Sequence, residues 1–251
     1  MLIEQLIQKL HELRLRGMAA SLAQQDKARE HDALRFEERL YLMIQSEGAV
    51  RDTEALAQRL RLAKLPIANA CVEDINPKLP REIDPRLLAT VCEMGWIAKH
   101  LNVLLTGPTG IGKSYIASAL VHGACRAGFS ARCFKLSKLA EELARAHALQ
   151  RRSAFLKQLA NADVLLIDDL GVAHLTDSLK RDLLEILDDR YDKKSTIVTS
   201  QLPVNAWHAA IGDPTLADAI LDRLVHNAYD LASSGDSIRK YKGLQGAPLA
   251  H

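Results

Sequence analysis

The chain has 251 residues, of which 48% are apolar and 25% are charged, so it can form the core of one sizeable domain and a smaller one. Charged residues interrupt its apolar runs, so we expect no membrane span, no secretory signal and a cytoplasmic protein. The net charge of +2 means that a nucleic-acid partner would have to bind a local basic patch. Four cysteines without a C-x-x-C pair predict buried free thiols rather than disulfides or a metal site.

The N-terminal part of the sequence carries only helical patterns. Apolar residues at helical spacing predict one helix that ends at Gly17 and a second that ends at Gly48. Asp52 is typical of an N-cap, and the third helix that it begins should end before Pro66. We interpret residues 1–66 as an all-helical domain that docks a partner or DNA, and a simple helical bundle with solvated outer faces is the alternative.

Prolines mark the next segment. The stretch EDINPKLPREIDP, residues 73–85, contains three of them and should be extended. We therefore interpret residues 67–98 as a linker that wraps onto the domain that follows.

From residue 99 to the end, strand patterns alternate with helical ones. This alternation predicts an α/β domain, in which helices flank a parallel sheet on both faces. The run VLLIDD is apolar throughout before two acids, as expected of a central strand that is buried on both faces. The predicted strands are residues 101–106, 130–134, 164–169 and 195–200.

The stretch GPTGIGKS follows the first of these strands and opens a helix. Its glycines, lysine and serine fit the phosphate-binding pattern G-x-x-x-x-G-K-[ST], and strand, glycine loop and helix is the context that the pattern requires. Backbone N–H groups there can bind phosphate, Lys113 can reach the β- and γ-phosphates, and the Ser114 hydroxyl can ligate Mg²⁺. A glycine turn beside a surface lysine is the alternative. The predicted ATP-binding residues are Gly107, Pro108, Thr109, Gly110, Ile111, Gly112, Lys113, Ser114 and Tyr115.

Two acids end the strand VLLIDD. Asp168 is placed to hold Mg²⁺ together with Ser114, and Asp169 is placed to orient and polarise the attacking water. The alternative is that both acids only begin a turn.

Five blocks together identify a family resemblance. GPTGIGKS, VLLIDDLG, TIVTSQLP, LADAILDRLVHNAYDL and GDSIRK occur in this order and resemble the IstB family of AAA+ ATPases. These are transposition helper proteins encoded beside the transposase of bacterial insertion sequences, and they are close relatives of the DnaC helicase loader. The resemblance covers roughly residues 35–243. It implies an AAA+ P-loop fold, and the short chain after GDSIRK implies that a C-terminal lid domain is absent.

The resemblance also implies further site residues. Gln201, or else Ser200, matches the polar sensor that contacts the γ-phosphate or the attacking water. Arg223 matches the arginine finger that reaches a neighbouring subunit's ATP, with a helix-surface arginine as the alternative. Arg239 matches the second sensor arginine, and Arg190 is either an interface arginine or a solvated helix end. Many AAA+ proteins have Glu where this chain has Asp169. The shorter side chain implies slow hydrolysis of ATP, stimulated by DNA or by assembly of subunits.

A basic stretch lies between the glycine loop and the acidic pair. Residues 126–157 contain eight lysines and arginines against two acids. Such a patch predicts sequence-independent contact with the phosphates of double-stranded DNA, and a solvated helical face is the alternative. The candidate contacts are Lys135, Lys138, Arg145, Arg151, Arg152 and Lys157.

These patterns predict a Mg²⁺-dependent ATPase that forms a homo-oligomer on DNA, with ATP at the subunit interfaces, and recruits or stimulates the transposase of its own element. A DnaC-like helicase loader is the main alternative. A small-molecule kinase would need an arginine-rich lid and a GTPase an N-K-x-D block, and the sequence contains neither. A structural module that binds a nucleotide without hydrolysing it is a further alternative, because the Asp169 side chain is shorter than the usual Glu.

Overall fold

The computed structural model describes residues 2–27, 33–76, 81–171 and 175–235. The chain forms two compact units, residues 1–58 and 59–251. Within the described ranges, no helix combines the length and the apolar character that crossing a lipid bilayer requires. The predicted roles of residues 1–66, 67–98 and 99–251 stay predictions, and the boundary between the compact units falls inside a helix.

The first unit is helical, but two of its predicted helix ends are wrong. It contains α1 (Leu2–Glu12), α2 (Arg16–Lys27) and most of α3 (Phe36–Ala63). Gly17 lies in the first turn of α2, and Gly48 and Asp52 lie inside the continuous helix α3, so Asp52 is no N-cap. Glycine inside a helix costs only about 1 kcal/mol, which the contacts of a long helix can offset.

Gly17 is required by close packing and not by a helix end. The Glu47 carboxylate on α3 accepts the backbone N–H of Gly17 at 2.8 Å and that of Met18 at 3.3 Å, and so caps α2. Because α2 and α3 lie so close together here, a Cβ on Gly17 would lie 2.4 Å from the Ser46 carbonyl oxygen and 2.5 Å from the Glu47 Cα. Only glycine therefore fits between the two helices.

Gly17→Ala and Gly48→Ala should change stability in opposite directions. The first should lower the free energy of unfolding by about 1–3 kcal/mol, because backbone atoms must move away from the new methyl group. The second should raise it by about 0.5–1 kcal/mol, because no atom lies within 4 Å of the Cβ position and alanine favours the helix. Urea unfolding followed by circular dichroism measures both. Equal effects of the two changes would contradict the close approach at Gly17.

The second unit contains a five-stranded parallel sheet. The strand order is β3-β4-β5-β2-β6, and every neighbouring pair is parallel. A separate antiparallel ribbon joins β1 to β7. In chain order the elements are β1 (Arg81–Glu82), α4 (Pro85–Cys92), α5 (Gly95–Ala98), β2 (Asn102–Thr106), α6 (Lys113–Arg126), β3 (Ala131–Lys135), α7 (Leu136–Ala148), α8 (Arg152–Asn161), β4 (Val164–Leu170), α9 (Asp177–Arg190), β5 (Ser195–Ser200), α10 (Trp207–Ile211), α11 (Pro214–Val225), β6 (Ala228–Ala232) and β7 (Ser234–Gly235).

The four predicted strands and the parallel α/β fold are confirmed. The central strands β2 and β5 are buried along their whole length, and β4 along nearly all of it, so apolar runs occupy the middle of the sheet. Leucine side chains from α7, α8 and α9 pack against β4 in one continuous core. Because all strands run the same way, the loops after them meet at one edge of the sheet.

The predicted linker is more structured than its prolines indicate. Asp84 caps α4 by accepting the backbone N–H groups of Arg86 and Leu87, and Pro85 occupies the first helical position, where its missing N–H costs nothing. Glu82 pairs in the ribbon with Ser234, close to the end of the last strand of the sheet. Residues 77–80 lie outside the described residues.

Candidate functional site

The glycine loop occupies the edge of the sheet where the strands end. β2 ends at Thr106 and α6 begins at Lys113. Gly107, Gly110 and Gly112 have φ values of 138°, 89° and 92°, a region that disfavours any side chain. The loop can therefore turn tightly into the N-terminus of α6, and a helix N-terminus that follows a glycine loop is suited to bind phosphate.

Two neighbouring strands hold the start of this loop. The Gly107 N–H donates to the carbonyl oxygen of Ser200 at the end of β5, at 3.2 Å, and the Ser233 N–H donates to that of Thr106, at 2.8 Å. A Cβ on Gly107 would lie 2.0 Å from the Ser233 carbonyl oxygen. Glycine is therefore needed here for close approach as well as for conformation.

Lys113 and Ser114 form the polar interior of the loop. The buried Lys113 ammonium donates to the carbonyl oxygens of Gly107, at 2.6 Å, and Pro108, at 2.8 Å. The Ser114 hydroxyl donates to the Asp168 carboxylate, at 3.0 Å from Oδ1. A hydroxyl beside a buried carboxylate is the oxygen-rich donor set that suits Mg²⁺ next to phosphates, so these residues fit a bound Mg²⁺–nucleotide.

The other predicted loop residues have distinct positions. Ile111 is buried beneath the loop, and Tyr115 is half-buried in the first turn of α6. Thr109 is exposed and donates its hydroxyl to the Gln201 Oε1, at 2.7 Å. Gln201 therefore lies against the glycine loop. Ser200 is buried and donates to the Leu170 carbonyl oxygen, so it is engaged in joining β4 to β5.

Thr199 is a member of the site that sequence reasoning missed. Its buried hydroxyl donates to the Asp168 Oδ1 and accepts the backbone N–H of Asp169 at 3.0 Å. It therefore holds both acids from the neighbouring strand. The available signal was its position near the end of the strand TIVTS, but only the strand order places that end beside VLLIDD.

Asp169 sits at an irregularity of the sheet. The register of β4 against β5 shifts between Ile167 and Leu170, where β4 carries one extra residue. Asp169 takes the left-handed conformation there, with a φ of 65°. Its carboxylate forms an ion pair with Lys135 at the end of β3, with 2.9 Å between Nζ and Oδ2. Lys135, predicted as a DNA contact, thus lies beside the predicted catalytic acid.

Arg223 lies at the opposite edge of the sheet from the glycine loop. The Asn102 side chain, at the start of β2, donates to the backbone carbonyl oxygens of Arg223 and Leu224. The loop follows the far end of the same strand, about 16 Å away at ~3.3 Å per residue. The guanidinium contacts Asp188 on α9, at 2.7 Å, and Asp222. Arg223 is therefore remote from its own subunit's glycine loop.

Arg190 is neither an interface arginine nor a solvated helix end. It is almost fully buried, and it donates to the carbonyl oxygens of Leu159, Ala162 and Ser195 and to the Thr196 hydroxyl. Burial lowers the pKa of its guanidinium to about 9, so the group keeps its charge at pH 7. Arg190 thereby joins the end of α8 to the start of β5. A sequence pattern could not have predicted this buried position, because the carbonyl oxygens that hold the guanidinium come from separate segments of the chain.

Most cations of the basic stretch have acidic neighbours. Lys138 pairs with Glu141 and Arg145 with Glu142, each one turn along α7. Arg152 is held by Asp182 and Glu185 on α9. Arg151 and Lys157 are exposed. Arg239 lies outside the described residues.

The cysteines take no part in this site. All four are free, as predicted, although only Cys125 and Cys133 are fully buried. Burial raises the pKa of the Cys125 thiol to about 11 and raises that of Cys133 as well, so both are neutral at pH 7. Among the described residues, no group of three or more His, Cys, Asp or Glu side chains could hold a metal ion.

Comparison with solved structures supports the fold. The DnaC helicase loader superposes with a TM-score of 0.54 at 21% identity, covering 65% of this chain and 96% of that one. DnaA from Aquifex aeolicus, solved with AMPPCP bound, gives a TM-score of 0.55 at 16% identity, covering 70% of this chain and 55% of that one. At these identities the similarity shows an AAA+ P-loop fold and nothing further.

Sequence relatives extend over nearly the whole chain. The protein y4pL of Sinorhizobium fredii, named as an insertion sequence ATP-binding protein, is 41% identical over 240 residues, which cover 96% of this chain and 98% of that protein. The ATP-binding protein named for the insertion sequence IS1162 of Pseudomonas fluorescens is 43% identical over 214 residues, covering 85% and 93%. The family model of the IstB-like ATP binding protein matches residues 8–246. The chain therefore belongs to the family of IstB-like ATP-binding proteins.

Proposed function

We propose that this protein hydrolyses ATP with Mg²⁺, assembles on double-stranded DNA and recruits or stimulates the transposase of its insertion sequence. The observation that carries the proposal is the hydrogen-bonded cluster of Ser114 with the buried Asp168 and Thr199, together with the buried Lys113 ammonium on the glycine loop. Hydroxyls and a carboxylate suit a metal ion, and an ammonium on a glycine loop suits phosphates. The insertion-sequence names of the relatives favour a transposition helper over a helicase loader.

Each side chain of the site has a role in this proposal. Lys113 binds the β- and γ-phosphates, while Ser114 and Asp168 hold Mg²⁺. The bound ion would neutralise charge on the phosphate oxygens. Asp169 accepts the proton of the attacking water, and Gln201, which already contacts the loop through Thr109, orients that water. Arg239 is proposed as a second sensor that contacts the phosphates.

Asp169→Asn should keep ATP binding and lose turnover, because an amide accepts a proton far more weakly than a carboxylate does. We expect hydrolysis to fall by about 10²–10⁴-fold, the usual contribution of a general base. Phosphate release measures the rate, and calorimetric titration measures the affinity. Asp189→Asn on the exposed face of α9 is the matched control and should hydrolyse ATP at the parent rate. A parent rate in Asp169→Asn would mean that another group activates the water.

We further propose that Arg223 completes the ATP site of a neighbouring subunit. Its position at the far edge of the sheet supports this, because its guanidinium cannot reach its own subunit's loop across the length of β2. Asp188 holds it at that edge. A guanidinium brought to the phosphates by a neighbour would stabilise the charge of the transition state.

Contact with DNA phosphates is proposed for the basic stretch. Arg151 and Lys157 are the exposed candidates there, while Lys138, Arg145 and Arg152 would have to exchange their acidic neighbours for phosphates. The contacts would be independent of sequence, because phosphates carry no base information.

Changing both Arg151 and Lys157 to Ala should flatten the salt dependence of DNA binding. Each phosphate contact contributes about −0.9 to the slope of log K against log salt, so the loss of two contacts should make the slope less negative by about 2. Adding Arg152→Ala should change the slope by up to about 3 in all. Fluorescence anisotropy with two unrelated duplexes measures both slopes, and the decrease should be the same for each duplex. An unchanged slope would identify the stretch as a solvated face and direct the search to the N-terminal helices.

The partner distinguishes the helper from the loader. The full chain with ATP and DNA should retain the transposase encoded beside it in a pull-down. Retention of the replicative helicase instead would favour the loader.

A further inference from the structure

Gln201 follows the end of β5 and lies beside the start of the glycine loop. Its backbone is well fixed, because the Ser200 carbonyl oxygen accepts the Gly107 N–H at 3.2 Å and the Ser200 hydroxyl accepts the Leu202 N–H at 3.1 Å. The glutamine side chain is exposed and has several rotatable bonds. The orientation of its amide therefore depends on the contacts of the side chain itself.

Thr109 supplies such a contact from the loop. It is the third residue of GPTGIGKS, and its hydroxyl donates to the Gln201 Oε1 at 2.7 Å, the usual distance for a hydroxyl donor. The loop follows β2, and β5 is the neighbouring strand, so the contact joins the ends of two adjacent strands. With Oε1 engaged in this way, the amide presents its NH₂ group to other partners.

A side-chain amide suits a phosphate in only one of its two orientations. Phosphate oxygens accept hydrogen bonds, so the amide must turn its NH₂ group toward the γ-phosphate and its Oε1 away from it. In the reverse orientation, Oε1 would face the negative charge of the phosphate and be repelled. A hydrogen-bond donor at Oε1 favours the first orientation, and the Thr109 hydroxyl is such a donor.

We propose that Thr109 is a positioning residue, whose hydroxyl holds the Gln201 amide with its NH₂ group toward the γ-phosphate and the attacking water. The proposal rests on the proposed role of Gln201 in hydrolysis. The Thr109 backbone belongs to the loop that binds the phosphates, whereas its hydroxyl acts on the reaction through Gln201. The amide thereby keeps its place relative to the phosphates that the same loop binds.

Thr109→Val tests the contact, since valine keeps the branched shape and replaces the hydroxyl with a methyl group. The kcat for ATP should fall by about 2- to 10-fold, the factor of one ordinary hydrogen bond. The Kd for ATP should not change, because the backbone N–H groups of the loop remain. Phosphate release measures kcat, and calorimetric titration measures Kd.

Two further variants serve as controls. Thr109→Ser keeps the hydroxyl and should keep most of the parent's kcat. Thr90→Val makes the same chemical change on α4, where the Thr90 side chain is exposed and its hydroxyl donates to the Arg86 carbonyl oxygen. This variant should hydrolyse ATP at the parent rate. A Thr109→Ser protein that loses as much activity as Thr109→Val would contradict a role of the hydroxyl.

A double-mutant comparison separates action through Gln201 from a direct effect of Thr109. Gln201→Leu removes the amide and should lower kcat by about 10²–10³-fold, the usual loss for one hydrogen-bond donor to the transition state. In that background Thr109→Val should have no further effect, because the amide that it orients is gone. The same decrease in both backgrounds would overturn the proposal, as would parent kcat in Thr109→Val alone. Parent kcat in Gln201→Leu is a different result, which would contradict the proposed role of Gln201 itself.

A second measurement needs no turnover. In ¹⁵N-labelled protein, the NH₂ signals of the Gln201 side chain are those that Gln201→Leu removes. A hydrogen bond to Oε1 polarises the amide, so Thr109→Val should shift these signals, and Thr109→Ser should leave them near the parent positions. AMPPCP with Mg²⁺ should shift them in the parent, because the NH₂ group then contacts phosphate. Identical signals in the parent and in Thr109→Val would contradict the contact, and signals that bound AMPPCP leaves unmoved would contradict the orientation.

Discussion

Lys113→Ala should abolish tight binding of ATP. The ammonium is buried and lies over the loop, 2.6 Å from the Gly107 carbonyl oxygen, where phosphate oxygens would take its hydrogen bonds. Removal of one partner from a buried charge pair costs about 2–5 kcal/mol, which weakens binding by roughly 30-fold to several thousand-fold. Calorimetric titration with ATP and Mg²⁺ measures the dissociation constant.

Lys99→Ala is the matched control for this change. Lys99 is exposed, and it follows α5 near the edge of the sheet where the strands begin, so its loss should leave ATP binding unchanged. Circular dichroism should show that both variants are folded. Parent affinity in a folded Lys113→Ala would refute the nucleotide site at this loop.

Arg223→Ala should leave ATP binding by the single subunit intact and lower hydrolysis by about 10³–10⁵-fold. ATP binding should persist because Arg223 is remote from the glycine loop of its own subunit. Hydrolysis should fall because the transition state loses a stabilising positive charge. Mixing Arg223→Ala with Asp169→Asn should restore part of the activity. An interface between the two variants can combine an intact Arg223 with an intact Asp169.

Two results would contradict action on a neighbouring subunit. One is a mixture that assembles, as shown by sedimentation, and stays inactive. The other is an Arg223→Ala protein that loses its affinity for ATP as a single subunit. Asp188→Asn removes one acid that holds the guanidinium and keeps the guanidinium itself, so it should lower hydrolysis much less than Arg223→Ala does.

The sequence predicted the features of the site that depend on neighbouring residues. A glycine loop, its lysine and serine, and two acids at a strand end are local patterns, because each is determined by a few consecutive residues. The contacts of Thr199 and Lys135 with the two acids could not be predicted in this way. They depend on which strands lie beside β4 and on one extra residue in that strand, and no local pattern specifies either.

The helical region shows the limit of local rules in another way. Gly48 and Gly17 have the same local preference for ending a helix, and the structure includes both in helices. At Gly17 the reason is the carboxylate of Glu47, 30 residues along the chain, which brings α2 close to α3. The sheet was easier to predict, since the apolar runs of β2 and β4 stand out without any knowledge of their partners.

The position of Arg223 has a consequence for how subunits can associate. If Arg223 acts on a neighbouring subunit's ATP, as proposed, each subunit offers its arginine at one edge of the sheet and its loop at the other, so the contact would be heterologous. A closed ring formed in this way completes every ATP site, whereas an open filament leaves the loop of one terminal subunit without an arginine. Turnover per subunit should therefore rise as open filaments lengthen, and short filaments on short DNA should be the slowest.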